Sequence, residues 1–123
     1  MKQVLLVFAG GGAGSVCRFL VGKLYPASLG MFPWTTLTAN FLSCLVFGAV
    51  LMLGVEKINL SYSIKLLVIT GFCGGFSTYS SFTAETIELF KQSQSGWALG
   101  NIFANFIFSV AGMYLGAWLM RLV

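Results

Sequence analysis

The chain contains no histidine, three acidic residues and seven Lys or Arg among its 123 positions. Without imidazole, a zinc or haem centre lacks its usual ligand. No nucleophile–base pair is visible either, so an enzyme is not the expected reading. Charged residues make up 8% of the chain, against about 25% in an average soluble domain. That leaves too little polar surface for a protein surrounded by water. The cations Lys2, Arg18, Lys23, Lys57, Lys65, Lys91 and Arg121 stand apart, so the net charge of +4 forms no basic cluster. Nucleic acid is excluded as a partner on that ground. Cys17, Cys44 and Cys73 all lie in apolar runs with no C-x-x-C pair, and they read as small buried hydrophobes. No G-x-x-x-x-G-K-[ST] loop is present to bind ATP.

In place of charge there is apolar length, 58% of the chain. Four stretches each come near the ~20 residues needed to span a bilayer. They run over about 3–24, 33–55, 63–90 and 97–122, within a single domain of 1–123. Met1-Lys2 and the apolar residues after it imitate a signal peptide. No soluble domain follows, so they read as the start of the first span. Tyr25-Pro26-Ala27-Ser28-Leu29-Gly30, Glu56-Lys57-Ile58-Asn59 and Lys91-Gln92-Ser93-Gln94-Ser95-Gly96 read as loops. Pro33 suits a first helical turn. Backbone in lipid must satisfy its own hydrogen bonds, so the expected fold is all-α, with four transmembrane helices.

Orientation is weakly encoded. Lys2, Lys57, Lys65 and Arg121 fall on one side, and Lys23 and Lys91, with Arg18 if it reaches that interface, on the other. So slight a bias permits both orientations. A chain this small also needs a second copy to enclose a pathway, and an antiparallel dimer is the expectation.

The third stretch carries the most information. Gly71, Gly74 and Gly75 fall within five residues, each weakening a helix by about 1 kcal/mol. Hydroxyl residues follow. Glycines here either open the helix, freeing backbone groups as transporters do at their ion sites, or let another helix pack closely. Composition does not choose. Tyr79 and Phe82 share a helix face, and their positive ring edges suit an anion as well as they suit packing. Asn40 follows Thr35, Thr36 and Thr38. Asn101, Asn105 and Ser109 are spaced four apart on one face of the last span. Such groups either hold helices together or line a pathway. Arg18 lies deep in the first span, after Gly10-Gly11-Gly12-Ala13-Gly14. It either snorkels to the interface or draws anions to a mouth. Glu85, one turn past Ser81, faces a polar lane or a helix partner. Phe106 is assigned to packing.

Gly71-Phe72-Cys73-Gly74-Gly75-Phe76-Ser77-Thr78-Tyr79-Ser80-Ser81-Phe82 resembles the signature of the CrcB/Fluc fluoride channels, G-F-C-G-G-[L/F]-[ST]-T-[FY]-S-[ST]-F. Gly10 to Arg18 is similar to their first-helix motif, G-G-x-G-[AST]-x-x-R. Thr36-Leu37-Thr38-Ala39-Asn40 is similar to their T-L-x-x-N segment, and Gly96 to Asn105 to their fourth helix. The resemblance implies a bacterial inner-membrane protein whose third helix is broken at mid-membrane. It implies an antiparallel, dual-topology homodimer that passes fluoride along the subunit interface. It further implies a structural sodium ion at that interface, on the backbone carbonyls of Gly74 and Ser77. Carried over by motif, Asn40, Tyr79, Phe82, Ser81 and Ser109 face fluoride, Arg18 stands in the vestibule, and Glu85 joins a polar lane. Tyr79 replaces the commoner Phe.

The implied function is passive fluoride export. Acid converts fluoride to neutral HF, which crosses lipid and dissociates inside. A channel lets the trapped anion leave once N–H and O–H donors and ring edges replace its water. The rival reading is a proton-coupled small multidrug-type exporter. That class needs a membrane-embedded acid in its first helix, where this chain has none.

Overall fold

The computed structural model describes residues 1–26, 29–54 and 60–122, and every regular element among them is helical. The predicted end of the second span at Val55, the loop from Glu56 to Asn59 with its Lys57, and Ala27 and Ser28 lie outside the described residues. Helix α1 covers Lys2–Leu24, α2 Trp34–Met52, α3 Tyr62–Lys65, α4 Gly74–Phe76, α5 Tyr79–Lys91 and α6 Ser95–Leu122. A π-helical stretch, Leu66–Cys73, joins α3 to α4.

Helices α1, α2 and α6 are long and apolar enough to cross a membrane. Even α2, with 19 residues, reaches about 28 Å at ~1.5 Å per residue, close to the thickness of a hydrocarbon core. The predicted stretch 63–90 is divided among α3, the π-helical turns, α4 and α5, so none of those elements is long enough alone. Helix α6 begins at Ser95, earlier than predicted. Its predecessor α5 closes tightly: Ser93 takes a left-handed φ of 58° and Gln94 N–H bonds to Leu89 O at 2.9 Å. That is a Schellman-type stop, which frees Ser95 and Gly96 for the next helix.

Apolar burial does not drive helices together in lipid, so close approach through small residues must do so. Two glycine seams supply it. Between α2 and α6, a Cβ on Gly48 would strike Met113 O and one on Gly116 would strike Leu45 O, while one on Gly112 would lie 2.7 Å from Phe41 O. Between α1 and the third stretch, Gly10 and Gly14 face Gly71 and Gly75, and a Cβ on Gly71 would lie 2.9 Å from Gly10 Cα. Gly71 and Gly75 are therefore packing residues. Gly74 points the other way, with nothing within 4 Å of its would-be Cβ. The residues that leave helical geometry are the hydroxyl pair Ser77 and Thr78, not the glycines.

Candidate functional site

The site grows from that hydroxyl pair. Ser77 is extended (φ −73°, ψ 157°), as is Thr78 (φ −150°, ψ 112°). Thr78 then restarts the helix, its Oγ1 accepting Ser81 N–H at 3.2 Å as an N-cap. Each buried backbone group released here needs a partner. Thr78 N–H, which an unbroken helix would give to Gly74 O, bonds instead to Asn40 Oδ1 at 2.8 Å. Cys73 O receives Ser77 N–H at 3.0 Å, Ser77 Oγ at 2.9 Å and Ser43 Oγ from α2 at 3.0 Å. Arg18 Nη1 donates to Ser77 O at 3.4 Å. Arg18 thus has a partner at the interruption itself.

Asn40 does more than hold Thr78. Its Nδ2 donates to Asn105 Oδ1 at 2.9 Å. Asn105 Nδ2 donates to Asn101 Oδ1 at 2.7 Å and to Asn101 O at 3.1 Å. Asn101 Nδ2 donates to Thr86 Oγ1 at 2.9 Å, and that hydroxyl donates to Phe82 O at 2.7 Å. A row of amides therefore ties α2 and α6 to the first turns of α5. Asn101 is fully buried and Asn105 nearly so. Amides this deep in a membrane helix pair cost little only because each is paired.

Three hollows surround the interruption. The first, about 330 Å³, brings together Asn40, Tyr79, Phe82 and Ser109 with Asn105 and Phe106. Four of the residues read from sequence as facing fluoride therefore share one cavity. The Tyr79 and Phe82 rings meet in it at 5.6 Å, tilted by 48°. Phe106, read as a packing ring, lines the same cavity and is exposed. Its neighbours Asn105 and Ser109 on α6 explain this: the polar face of that helix carries Phe106 with it.

The second hollow, about 640 Å³, holds Arg18, Lys23, Thr36, Ser81 and Glu85. Ser81 lies here rather than beside Phe82, and accepts a hydrogen bond from Thr78 Oγ1 at 3.0 Å. Thr36 Oγ1 donates to Glu85 Oε1 at 2.7 Å, whereas Glu85 Oε2 is buried with no partner among the described residues. Two cations and one acid give this mouth a positive balance, which favours anions. The third hollow, about 500 Å³, exposes Gly74 and Ser77 beside Ser43, Cys44 and Cys73. Among the described residues no group of three His, Cys, Asp or Glu is placed to hold a metal. Any cation at Gly74 and Ser77 would rest on backbone oxygen.

Sequence reading missed Thr86; of the two roles it left open for Asn101, holding helices together is the one its hydrogen bonds fit. The spacing of Asn101, Asn105 and Ser109 announced a polar face. Nothing local announced Thr86, whose partner is on another helix.

Membrane-crossing helices joined by glycine seams, with amides and hydroxyls gathered around an interrupted segment, define a multi-pass integral membrane protein built around a polar site. A family model described as CrcB-like protein, Camphor Resistance (CrcB), matches residues 5–117. The Fluoride-specific ion channel FluC of Rhizobium etli is 40% identical over 124 residues, covering 98% of both chains. Its namesake in Escherichia coli K12 is 40% identical over 120 residues, 97% of this chain and 94% of the relative. That of Phocaeicola vulgatus is 35% identical over 120 residues, 97% and 98% of the two. The chain belongs to the CrcB family.

Proposed function

We propose that this chain is a passive fluoride channel of the bacterial inner membrane, removing fluoride from the cytoplasm, and that it works as an antiparallel homodimer. The cavity uniting Asn40, Tyr79, Phe82 and Ser109 carries this reading. It offers amide N–H, hydroxyl and ring-edge groups to a small anion and no fixed positive charge to trap it. Arg18 and Lys23 concentrate anions at the neighbouring mouth. The segment from Tyr62 to Lys91 acts as a third span interrupted at Ser77 and Thr78. Tyr79 is 80% exposed and Gly74 is bare. Facing lipid, the polar groups beside them would be unsatisfied. A second copy of the chain covers them. The relatives are named as ion channels, and a channel rather than an enzyme is the reading they support. The test is growth: expression in a fluoride-sensitive bacterium should restore growth in fluoride, and no rescue by a membrane-inserted protein would refute the reading.

Sodium fits the same arrangement. The Gly74 carbonyl has lost its helical donor to Asn40. Ser77 O keeps a second lone pair beside its bond from Arg18. When bound, a sodium ion would supply a fixed positive charge that holds the interrupted segments of two copies together. Ser77→Ala should retain dimerisation and sodium dependence, because the ligand is backbone. Gly74→Val should leave the protomer folded, since its Cβ meets nothing, yet abolish the dimer. Size-exclusion chromatography with helicity measured in parallel checks both, and a stable Gly74→Val dimer contradicts the interface.

Phe82→Ile should lower fluoride flux at least about tenfold in an assembled dimer, because isoleucine keeps apolar volume without a positive ring edge. Stopped-flow efflux from liposomes reads this. Wild-type flux would return Phe82 to a packing role.

A further inference from the structure

The amide row has a fixed sense, and Asn40 takes its orientation within it. One end is Thr78 N–H, which can only donate, and the other is Phe82 C=O, which can only accept. Between them every amide accepts on Oδ1 and donates from Nδ2 in the same direction. An asparagine amide is otherwise free to flip. Here a flip of any one breaks at least two bonds and sets donor against donor. Asn40, which lines the cavity, spends Oδ1 on Thr78 and one Nδ2 proton on Asn105, so one Nδ2 proton remains outside the row.

Thr86 is the end stop. Its hydroxyl has one proton, committed to Phe82 O at 2.7 Å. Only a lone pair is left for Asn101, so Asn101 must present Nδ2 to it and Oδ1 to Asn105. A threonine back-bonding to the residue four before is common in helices and by itself means little. The second bond, to a fully buried amide on α6, makes this one directional. The bond from Asn105 to Asn101 O, at 3.1 Å, reinforces the same sense but is longer than the 2.7 Å bond to Asn101 Oδ1.

We propose that Thr86 and Asn101, neither of which lines the fluoride cavity, are positioning residues that reinforce, through Asn105, the orientation that the Thr78 N–H bond gives Asn40. This rests on the reading of the cavity as a fluoride pathway. A positioning role differs from a packing role in what it changes. Packing loss lowers the amount of assembled channel. Loss of orientation alters how an assembled channel recognises its ion.

The experiment compares Thr86→Val, Thr86→Ser and wild type in liposomes, measuring fluoride efflux per assembled dimer against fluoride concentration. Thr86→Val keeps shape and removes the hydroxyl. It should raise half-saturating fluoride about fivefold, the factor expected for one net hydrogen bond. Thr86→Ser should return it to the wild-type value. An unchanged half-saturation in Thr86→Val, or a serine variant as impaired as valine, would overturn the proposal. If Thr86→Val does not assemble, the double variant Thr86→Val with Asn101→Leu removes both polar partners and keeps the interior apolar. It should assemble with the same raised half-saturation, and wild-type half-saturation there would equally overturn it. Absence of fluoride flux from the wild-type protein would instead refute the channel reading itself.

Discussion

Asn40→Asp should lower fluoride flux at least about a hundredfold while the dimer still forms, a barrier increase of about 2.7 kcal/mol. The substitution is nearly isosteric, so packing is kept. Its acceptor oxygen for Thr78 N–H is also kept. Both amide protons are lost. The oxygen that replaces Nδ2 then confronts Asn105 Oδ1, now 2.9 Å from that nitrogen, with no proton between them. A carboxylate also places a negative charge beside the anion's path. Two unit charges about 4 Å apart repel by about 4 kcal/mol at an effective dielectric of 20. The two effects act together, which is why this change should exceed Phe82→Ile. Efflux from liposomes, normalised to dimer content by size-exclusion chromatography, measures it. Flux within a few-fold of wild type would remove Asn40 from the pathway.

Gly14→Val should prevent the protein from folding at all. A Cβ at Gly14 would strike Phe72 O and lie 2.7 Å from Phe76 N and 3.1 Å from Gly75 C. These are backbone atoms of the facing segment, which cannot rotate away as a side-chain end can. Overpacking of this kind costs about 1–3 kcal/mol or more, and here it also wedges α1 from the turns that lead into Ser77 and Thr78. Gly12→Ala is the matched control, because a Cβ there meets nothing within 4 Å. Fluorescence-detected chromatography of detergent extracts should show a monodisperse Gly12→Ala protein and aggregated or absent Gly14→Val. A well-behaved Gly14→Val would mean that the α1 seam is looser than the structure shows.

How far the sequence reveals this arrangement varies by element. The extents of α1 and α6 are nearly readable from apolar run length, since a bilayer demands length and little else. Ser77 and Thr78 turn extended within the segment where an opening is expected, but the sequence grounds for an opening lay elsewhere. Glycines suggested it, yet two of the three serve packing, and which ones do so depends on the register of α1. Helical spacing could have separated Ser81 and Glu85, which share a face, from Tyr79 and Phe82, which share another. The α6 amide face was visible in its four-residue spacing. Its consequences were not: Asn40 lies 65 residues before Asn105, and Thr86 lies 15 before Asn101. Directional pairing between distant helices leaves no local trace. Phe106 shows the same gap, because apolar rings look alike in sequence whether they face lipid, core or cavity.

The central claim is passive, electrogenic fluoride conduction, and one reconstitution tests it most directly. Liposomes containing only this purified protein are loaded with potassium fluoride, set at equal pH inside and out, and followed with a fluoride electrode. The account predicts negligible efflux until a potassium ionophore relieves the charge imbalance, then rapid release of fluoride with no imposed proton gradient. Efflux that requires a proton gradient, or none from a properly assembled dimer once the ionophore is added, would contradict it.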